Sequence, residues 1–180
     1  MKKSNQVMLL SALIGVYGFA SQAKEIASNG DFKLLINTPA KHIKAVKGEK
    51  FIKSWGIAGS GEVIIKEGEP NKLALYNGVI YSFLQRGWPA PATELEGKIT
   101  VSGVGKVKIQ LSTCVKKEAK QAFRHVKKTV VGEFALGKEV KTFKFKYKME
   151  AGEVGYIYIY AINGPLMISQ ISVKTVKIEK

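Results

Sequence analysis

Apolar and polar residues alternate along much of this chain with a period of two. The alternation is clearest in the segments 106–111 and 143–148, where every second residue is apolar and the residue between is lysine or glutamine. Such a pattern predicts β-strands with one face in a core and the other in water. The residues expected to face the core are Val107, Ile109, Leu111, Phe143 and Phe145.

Runs of strand length recur along the rest of the chain. They predict strands at 31–37, 51–57, 62–66, 72–76, 79–85, 98–102, 127–131, 155–161 and 166–178. Many short strands separated by Gly, Asn and Pro favour an all-β fold, either a β-sandwich of two antiparallel sheets or a barrel.

Three local features qualify this pattern. Asn77-Gly78 predicts a type I′ hairpin turn, because both residues tolerate positive φ. In the last strand the apolar positions change parity, which predicts a β-bulge near Lys174–Thr175. The segment 116–124 has weak helical spacing and is compatible with a short helix or a loop.

Residues 1–23 have the composition of a secretory signal peptide. Two lysines precede an apolar run over 7–20, and small residues at 21 and 23 predict cleavage after Ala23. The run is short and interrupted by glycine and serine, which disfavours a membrane span; an uncleaved anchor or a buried helix is the alternative. We therefore expect a secreted or periplasmic protein with one β-sandwich domain over 24–180 and no membrane insertion after cleavage.

The chain is strongly basic, with 29 Lys and Arg against 14 Asp and Glu and a formal net charge of +15. This charge attracts anionic partners, such as an acidic polysaccharide or an anionic cell surface. The alternative is that lysine-rich strand faces only maintain solubility and block edge-to-edge pairing. Export separates the protein from genomic DNA, so we expect no nucleic-acid partner.

Few residues suggest catalysis. Cys114 is the single cysteine, which excludes an internal disulfide and predicts a buried, unreactive thiol. His42 and His125 are not spaced as metal ligands. We identify no acidic residue on an apolar strand, where burial would raise its pKa for glycosidase chemistry. These observations predict a non-catalytic protein without a metal or cofactor.

The tyrosines of one predicted strand are more informative. Tyr156, Tyr158 and Tyr160 alternate with Ile157 and Ile159, so the isoleucines would face the core and the tyrosines would point outward. Exposed aromatic rows suit sugars, because the apolar face of a sugar ring stacks on an aromatic plane. The alternative is that the tyrosines pack beneath a loop or under lysine side chains.

Basic residues and a second tryptophan are further candidates for ligand contacts. If the strand 143–148 is the antiparallel neighbour of the tyrosine strand, Lys144 and Lys146 lie beside the rings. Trp88, in a Pro-rich segment beside Arg86, is either a ligand contact or a loop plug, whereas Trp55 is expected in the core. The predicted carbohydrate-binding residues are Tyr156, Tyr158, Tyr160, Lys144, Lys146, Trp88 and Arg86.

Several segments resemble the galactose-binding-like jelly-roll carbohydrate-binding modules that accompany xylanases and cellulases. The resemblance rests on Asn29-Gly30-Asp31-Phe32, on Trp55, and on the segments 95–102, 105–111 and 168–173. It implies a jelly-roll fold, and ligand surfaces on the concave face of one sheet or on the loops at its end.

The resemblance also implies where calcium would bind, and this chain departs from the family there. Lys33, Ser169 and Gln170 stand where the family usually has acidic residues, so we expect no calcium. The sequence thus predicts an exported, non-catalytic protein that binds a polysaccharide, which could be acidic, and that could act with a separate glycoside hydrolase. The alternatives are a structural or cell-surface interaction β-sandwich, which binds a protein or an anionic envelope polymer without sugar specificity, and a hydrolase accessory to polysaccharide breakdown.

Overall fold

The computed structural model describes residues 23–36, 51–87, 89–124 and 127–176. Residues 1–22 of the predicted signal peptide, His42, Trp88 and His125 lie outside these ranges. Within the ranges no helix is long and apolar enough to cross a membrane. The strands are β1 (Lys24–Glu25), β2 (Leu35–Ile36), β3 (Phe51–Ile52), β4 (Gly56–Ile64), β5 (Lys72–Phe83), β6 (Thr93–Gly103), β7 (Lys106–Val115), β8 (Lys127–Ala135), β9 (Lys141–Met149), β10 (Glu153–Ile162) and β11 (Leu166–Val176).

The long strands form an antiparallel jelly-roll sandwich. Hydrogen bonding runs in the order β8-β7-β10-β5-β11-β6-β9, with β4 paired to β5 and β1 to β11. The two ends of this path meet where the rings of Phe134 on β8 and Phe143 on β9 stack 4.4 Å apart. The sheet therefore folds back on itself and is nearly closed, with a short separate β2–β3 pair. The predicted all-β sandwich class is confirmed.

β5 belongs to both layers of the sandwich. Its residues 73–75 pair with β11, whereas residues 78–83 pair with β10. The change of partner falls at Asn77-Gly78, so the predicted hairpin turn there is wrong: β5 continues through it. Gly78 has φ +106 and lies opposite Gly59 at φ +119, and a Cβ on Gly78 would lie 2.0 Å from the Ala58 carbonyl oxygen. Glycine is needed because the two strands approach closely as β5 bends.

The core lies between the two layers and follows the predicted alternation. Val107, Ile109 and Leu111 are fully buried, Phe145 is buried, and Phe143 packs against the same cluster. Truncating a fully buried aliphatic side chain in such a core costs about 2–5 kcal/mol. Trp55 is also buried, as predicted.

The structure decides two local expectations, the position of the bulge in the last strand and the conformation of the segment 116–124. The β-bulge in β11 lies between Ile168 and Gln170, not near Lys174–Thr175, where pairing with β6 stays regular. An extra residue at Ser169 shifts the pairing there and leaves both Ile168 and Ile171 in the core. The segment 116–124 is a loop of turns and bends.

The Asn29–Phe32 motif fixes the start of the domain. Asn29, at φ 54, accepts a hydrogen bond from the Leu34 amide and donates to the carbonyls of Leu34 and Lys53. Phe32 is fully buried with its ring edge-on to Trp55 at 6.3 Å, and the Trp55 indole donates to the Ser28 carbonyl at 2.8 Å. In this chain the motif is a structural element.

Candidate functional site

The outward side of β5, β10 and the adjoining loop carries a continuous group of aromatic side chains. Ile157 and Ile159 are fully buried, so the tyrosines between them point away from the core and are half-buried. On β5, Tyr81 pairs with Tyr158 and Phe83 pairs with Tyr156, which brings a second strand of rings beside the first. We define the aromatic face as Tyr81, Phe83, Phe123, Tyr156, Tyr158 and Tyr160.

The centre of the aromatic face has rings of similar orientation. The rings of Tyr158 and Tyr160 are 6.3 Å apart with 21° between their planes, and Tyr81 lies 5.5 Å from Tyr158 at 25°. A molecule lying along β10 would therefore meet similarly oriented aromatic rings at successive positions.

The other end of the aromatic face is bounded by a loop. Phe123, from the loop 116–124, packs edge-on to Tyr156 at 5.1 Å and to Phe83 at 6.3 Å. Beneath this corner, Cys114 is buried with Ala90 and Val154 in a small second cluster, which confirms the predicted burial of the thiol. Tyr156 thus partly serves packing, as the alternative interpretation held.

β7 adds polar groups on the side opposite β5. The Lys108 ammonium lies 4.5 Å from the centre of the Tyr160 ring, and the Gln110 amide is 3.5 Å from the Tyr160 hydroxyl. Burial raises the pKa of both Tyr158 and Tyr160 above the ordinary phenol value. Their hydroxyls therefore stay protonated at neutral pH and can both donate and accept hydrogen bonds.

Lys144 and Lys146 do not lie beside the tyrosines. Their strand, β9, pairs with β6 at the edge of the other layer, whereas the neighbours of β10 are β5 and β7. The predicted adjacency is wrong because β9 follows the loop after β8 and does not pair back onto β10. Lys146 instead forms ion pairs with Glu94 at 2.9 Å and Glu96 at 2.8 Å, and hydrogen bonds to these carboxylates raise the pKa of Lys146.

Arg86 holds the loop after β5 in place. Its guanidinium donates to the backbone carbonyls of Glu153 and Pro91, with a longer contact of 3.5 Å to Glu150. Desolvation lowers the pKa of Arg86, partly offset by the charge of Glu153, but an arginine stays charged at any ordinary pH. Arg86 and Lys116 also line a cavity of about 410 Å³ at the Phe83 end of the aromatic face.

A buried acidic residue lies near this cavity. Glu153 is 3% exposed, so the expectation that no carboxylate stands among apolar strand residues is wrong. One carboxylate oxygen accepts from the Thr113 hydroxyl at 2.5 Å and the Tyr147 hydroxyl at 2.9 Å, and the other accepts from the Glu150 amide at 2.9 Å. These three bonds explain how a carboxylate is tolerated there.

The region of the Asn29–Phe32 motif offers little to a metal ion. Within the described ranges no group of three or more His, Cys, Asp or Glu residues could hold one. Asp31 is 3.0 Å from the Lys33 ammonium; burial alone would raise the pKa of Asp31, but the hydrogen bonds and charge of Lys33 outweigh it and lower that pKa. An acidic residue neutralised in this way is a poor cation ligand.

Sequence inspection missed several residues of the aromatic face. Tyr81 and Phe83 alternate with the buried Ile80 and Ser82, which is the same signal that singled out the tyrosines of β10. Phe123 joins the face through the path of the loop 116–124, and Lys108 reaches Tyr160 through the register of β7 and β10. Neither is contained in a sequence pattern.

No protein-family model and no curated protein matches the chain. Solved structures do match. The N-terminal CBM22 tandem domain of Paenibacillus barcinonensis Xyn10C has a TM-score of 0.54 at 10% identity and covers 70% of this chain. The chain has the jelly-roll fold of carbohydrate-binding modules. The CBM22-1 xylan-binding domain of the same protein has a TM-score of 0.50 at 10% identity, over 71% of this chain and 88% of that one.

A third match is the CBM22-1–GH10 part of Clostridium thermocellum xylanase 10B, complexed with xylohexaose. It has a TM-score of 0.53 at 12% identity and covers 71% of this chain. The chain spans 47% of the tandem structure and 27% of this xylanase structure. At these identities the likeness concerns the fold, which agrees with the resemblance noted in the sequence.

Proposed function

We propose that this chain is an exported, non-catalytic carbohydrate-binding protein that holds a polysaccharide along the aromatic face. The observation that carries the proposal is the set of half-buried, similarly oriented rings of Tyr81, Tyr158 and Tyr160. They occupy one sheet face of a fold in which a neighbour of known structure is a xylan-binding domain. The same proposal includes action beside a separate glycoside hydrolase.

The chemistry of the aromatic face suits a chain of sugars better than a single small molecule. Each sugar ring can lay its apolar side against a tyrosine while its hydroxyls exchange hydrogen bonds with the phenol groups and with Gln110. A stacked pair contributes about 0.5–1.5 kcal/mol beyond area burial, by analogy with aromatic pairs. Useful affinity therefore requires several rings in line, which the row along β10 supplies.

Two acidic groups on the layer that bears the aromatic face favour binding over hydrolysis. Glycoside hydrolysis uses two carboxyl groups facing each other across the scissile bond. On the layer that bears the aromatic face, the Glu133 carboxylate is paired with Lys106 at 3.1 Å, and Glu153 is buried among three donors.

The test is a glycan array followed by titration of the best soluble glycan against two matched variants. Tyr158→Ala removes the central ring and should weaken binding by about threefold to tenfold. Tyr76→Ala is the control, because Tyr76 is exposed and contacts Glu62 away from the aromatic face; its affinity should stay within about twofold.

Two results would contradict the proposal. Unchanged affinity in Tyr158→Ala with a large loss of stability would mean that the tyrosines belong to the packing, and the site should then be sought around Arg86. Salt-sensitive binding to every polyanion, independent of Tyr158, would instead favour a surface-interaction protein acting through its net charge of +15.

A further inference from the structure

We propose that the ligand of the aromatic face is an anionic glycan, bearing carboxylate or sulfate groups, and that Lys108 binds the charged group. This inference rests on the proposed function and adds the chemical class of the ligand. It comes from the distribution of charge around the aromatic face, with cations at both of its ends and acidic groups engaged elsewhere.

The acidic residues of the sheet that carries the aromatic face are already occupied. The strands β4, β5, β7, β8 and β10 contain Glu62, Glu133 and Glu153. The Glu62 carboxylate accepts from the Tyr76 hydroxyl, Glu133 pairs with Lys106, and Glu153 is buried. In this described part of the sheet, each carboxylate therefore has a hydrogen-bond or ion-pair partner other than the tyrosines of the aromatic face.

Lys108 is the cation best placed to meet a ligand. It stands on β7 directly across from Tyr160, and its ammonium lies 4.5 Å from the centre of that ring. Glu133 lies across from Lys108 on the other side, but its carboxylate is bonded to Lys106 instead. The described residues give Lys108 no ion pair, so its charge is available above the Tyr160 ring.

The end of the aromatic face at Phe83 also carries positive charge. Arg86 and Lys116 line the cavity of about 410 Å³ next to Phe83. Arg86 uses its donors on backbone carbonyls and lies near the negative charge of Glu153, so Lys116 is the cation at this end that is better placed to meet a ligand. A chain bound along the row would run from one cationic region to the other.

This arrangement discriminates by charge. Because the Lys108 ammonium lies over the Tyr160 ring, a sugar stacked on the neighbouring Tyr158 ring, 6.3 Å away, can direct a carboxylate or sulfate toward Lys108 and accept a charge-assisted hydrogen bond from it. A neutral sugar in the same position offers the ammonium only hydroxyl oxygens, which form weaker hydrogen bonds with it than a charged carboxylate or sulfate does. The contact with Tyr160 keeps the ammonium near the ring before the ligand arrives.

The experiment measures affinity by calorimetry for four polymers at low and moderate salt. Polygalacturonate carries carboxylates, a sulfated galactan carries sulfates, xylan is neutral, and polyglutamate is an anionic polymer without sugar rings. We expect tighter binding to one or both acidic glycans than to xylan, by about tenfold. The acidic glycan that binds more tightly identifies the anionic group. Moderate salt should reduce the difference in affinity between the acidic glycans and xylan.

Two lysine variants localise the effect. Lys108→Gln should lower affinity for the acidic glycan by about threefold to tenfold and leave that for xylan within about twofold. Lys144→Gln removes the same charge from the other layer and should have little effect on either.

The outcomes separate this inference from the function on which it rests. If xylan binds as tightly as the acidic glycans, or Lys108→Gln weakens both alike, the charge inference is wrong while carbohydrate binding stands. If polyglutamate binds as tightly as the glycans and Tyr158→Ala has no effect, both are wrong. If no glycan binds at all, the proposed function fails and the inference fails with it.

Discussion

Removing the carboxylate of Glu153 should be among the most destabilising single changes in this domain. Glu153 begins β10, is 3% exposed, and accepts hydrogen bonds from the Thr113 hydroxyl, the Tyr147 hydroxyl and the Glu150 amide. These bonds tie the ends of β7 and β9 to the turn before β10. Their loss would leave the hydroxyl of Thr113, a residue that is 1% exposed, without this acceptor.

The expected magnitude follows from those contacts. Hydrogen bonds to charged groups contribute about 1.5–3 kcal/mol each, and removing one member of a buried charged cluster costs about 3–5 kcal/mol in total. Glu153→Ala should therefore lower the free energy of unfolding by about 3–5 kcal/mol. Glu153→Gln keeps the shape and two acceptor contacts but sets an amide donor against the Glu150 amide, so about 1–3 kcal/mol is expected.

Urea unfolding followed by tryptophan fluorescence measures both values, since Trp55 is buried in the core. With a slope of about 2 kcal/mol per molar, Glu153→Ala should shift the midpoint down by about 2 M. Glu150→Gln is the matched control, because the side chain of Glu150 is exposed and should change stability by less than about 0.5 kcal/mol. A loss below about 1 kcal/mol in Glu153→Ala would refute the reasoning.

Three further predictions follow from single contacts. Gly97→Ala should cost about 1–3 kcal/mol in thermal unfolding, because the added Cβ would lie 1.9 Å from the buried Phe145 ring, whereas Gly137→Ala meets nothing within 4 Å and should be neutral. Burial is the main reason why the pKa of Tyr158 is raised. The contribution of Tyr158 to the free energy of unfolding is therefore complete below the ordinary phenol pKa and is lost as pH rises through the raised value. Tyr158→Phe should flatten this decline in stability at alkaline pH. Calcium or a chelator should leave the melting temperature unchanged, because Lys33 neutralises Asp31; a shift of several degrees would contradict this.

Period-two alternation predicted the core well because it depends only on the pleat of a strand. Val107, Ile109 and Leu111 faced inward as expected, and so did the isoleucines between the tyrosines. The same argument placed the tyrosines on the outer face without knowledge of any neighbouring strand.

Strand order and bends were not contained in that pattern. Asn77-Gly78 has turn composition, yet here the glycine serves a strand that changes partners between layers. Lys144 and Lys146 were placed beside the tyrosines by sequence proximity, but β9 pairs with β6. No alternation pattern predicts the burial of Glu153, which results from the convergence of β7, β9 and the turn before β10.

A polysaccharide bound along the aromatic face should leave a direct trace on the backbone of β5, β7 and β10. The most direct measurement is an NMR titration of isotope-labelled protein with the soluble oligosaccharide that binds best. We predict that the largest amide shifts fall on the strand segments around Tyr81, Gln110, Tyr158 and Tyr160, with β6 and β9 unaffected. Shifts concentrated on β6 and β9, or on the loops at the end of the sandwich, would contradict the account.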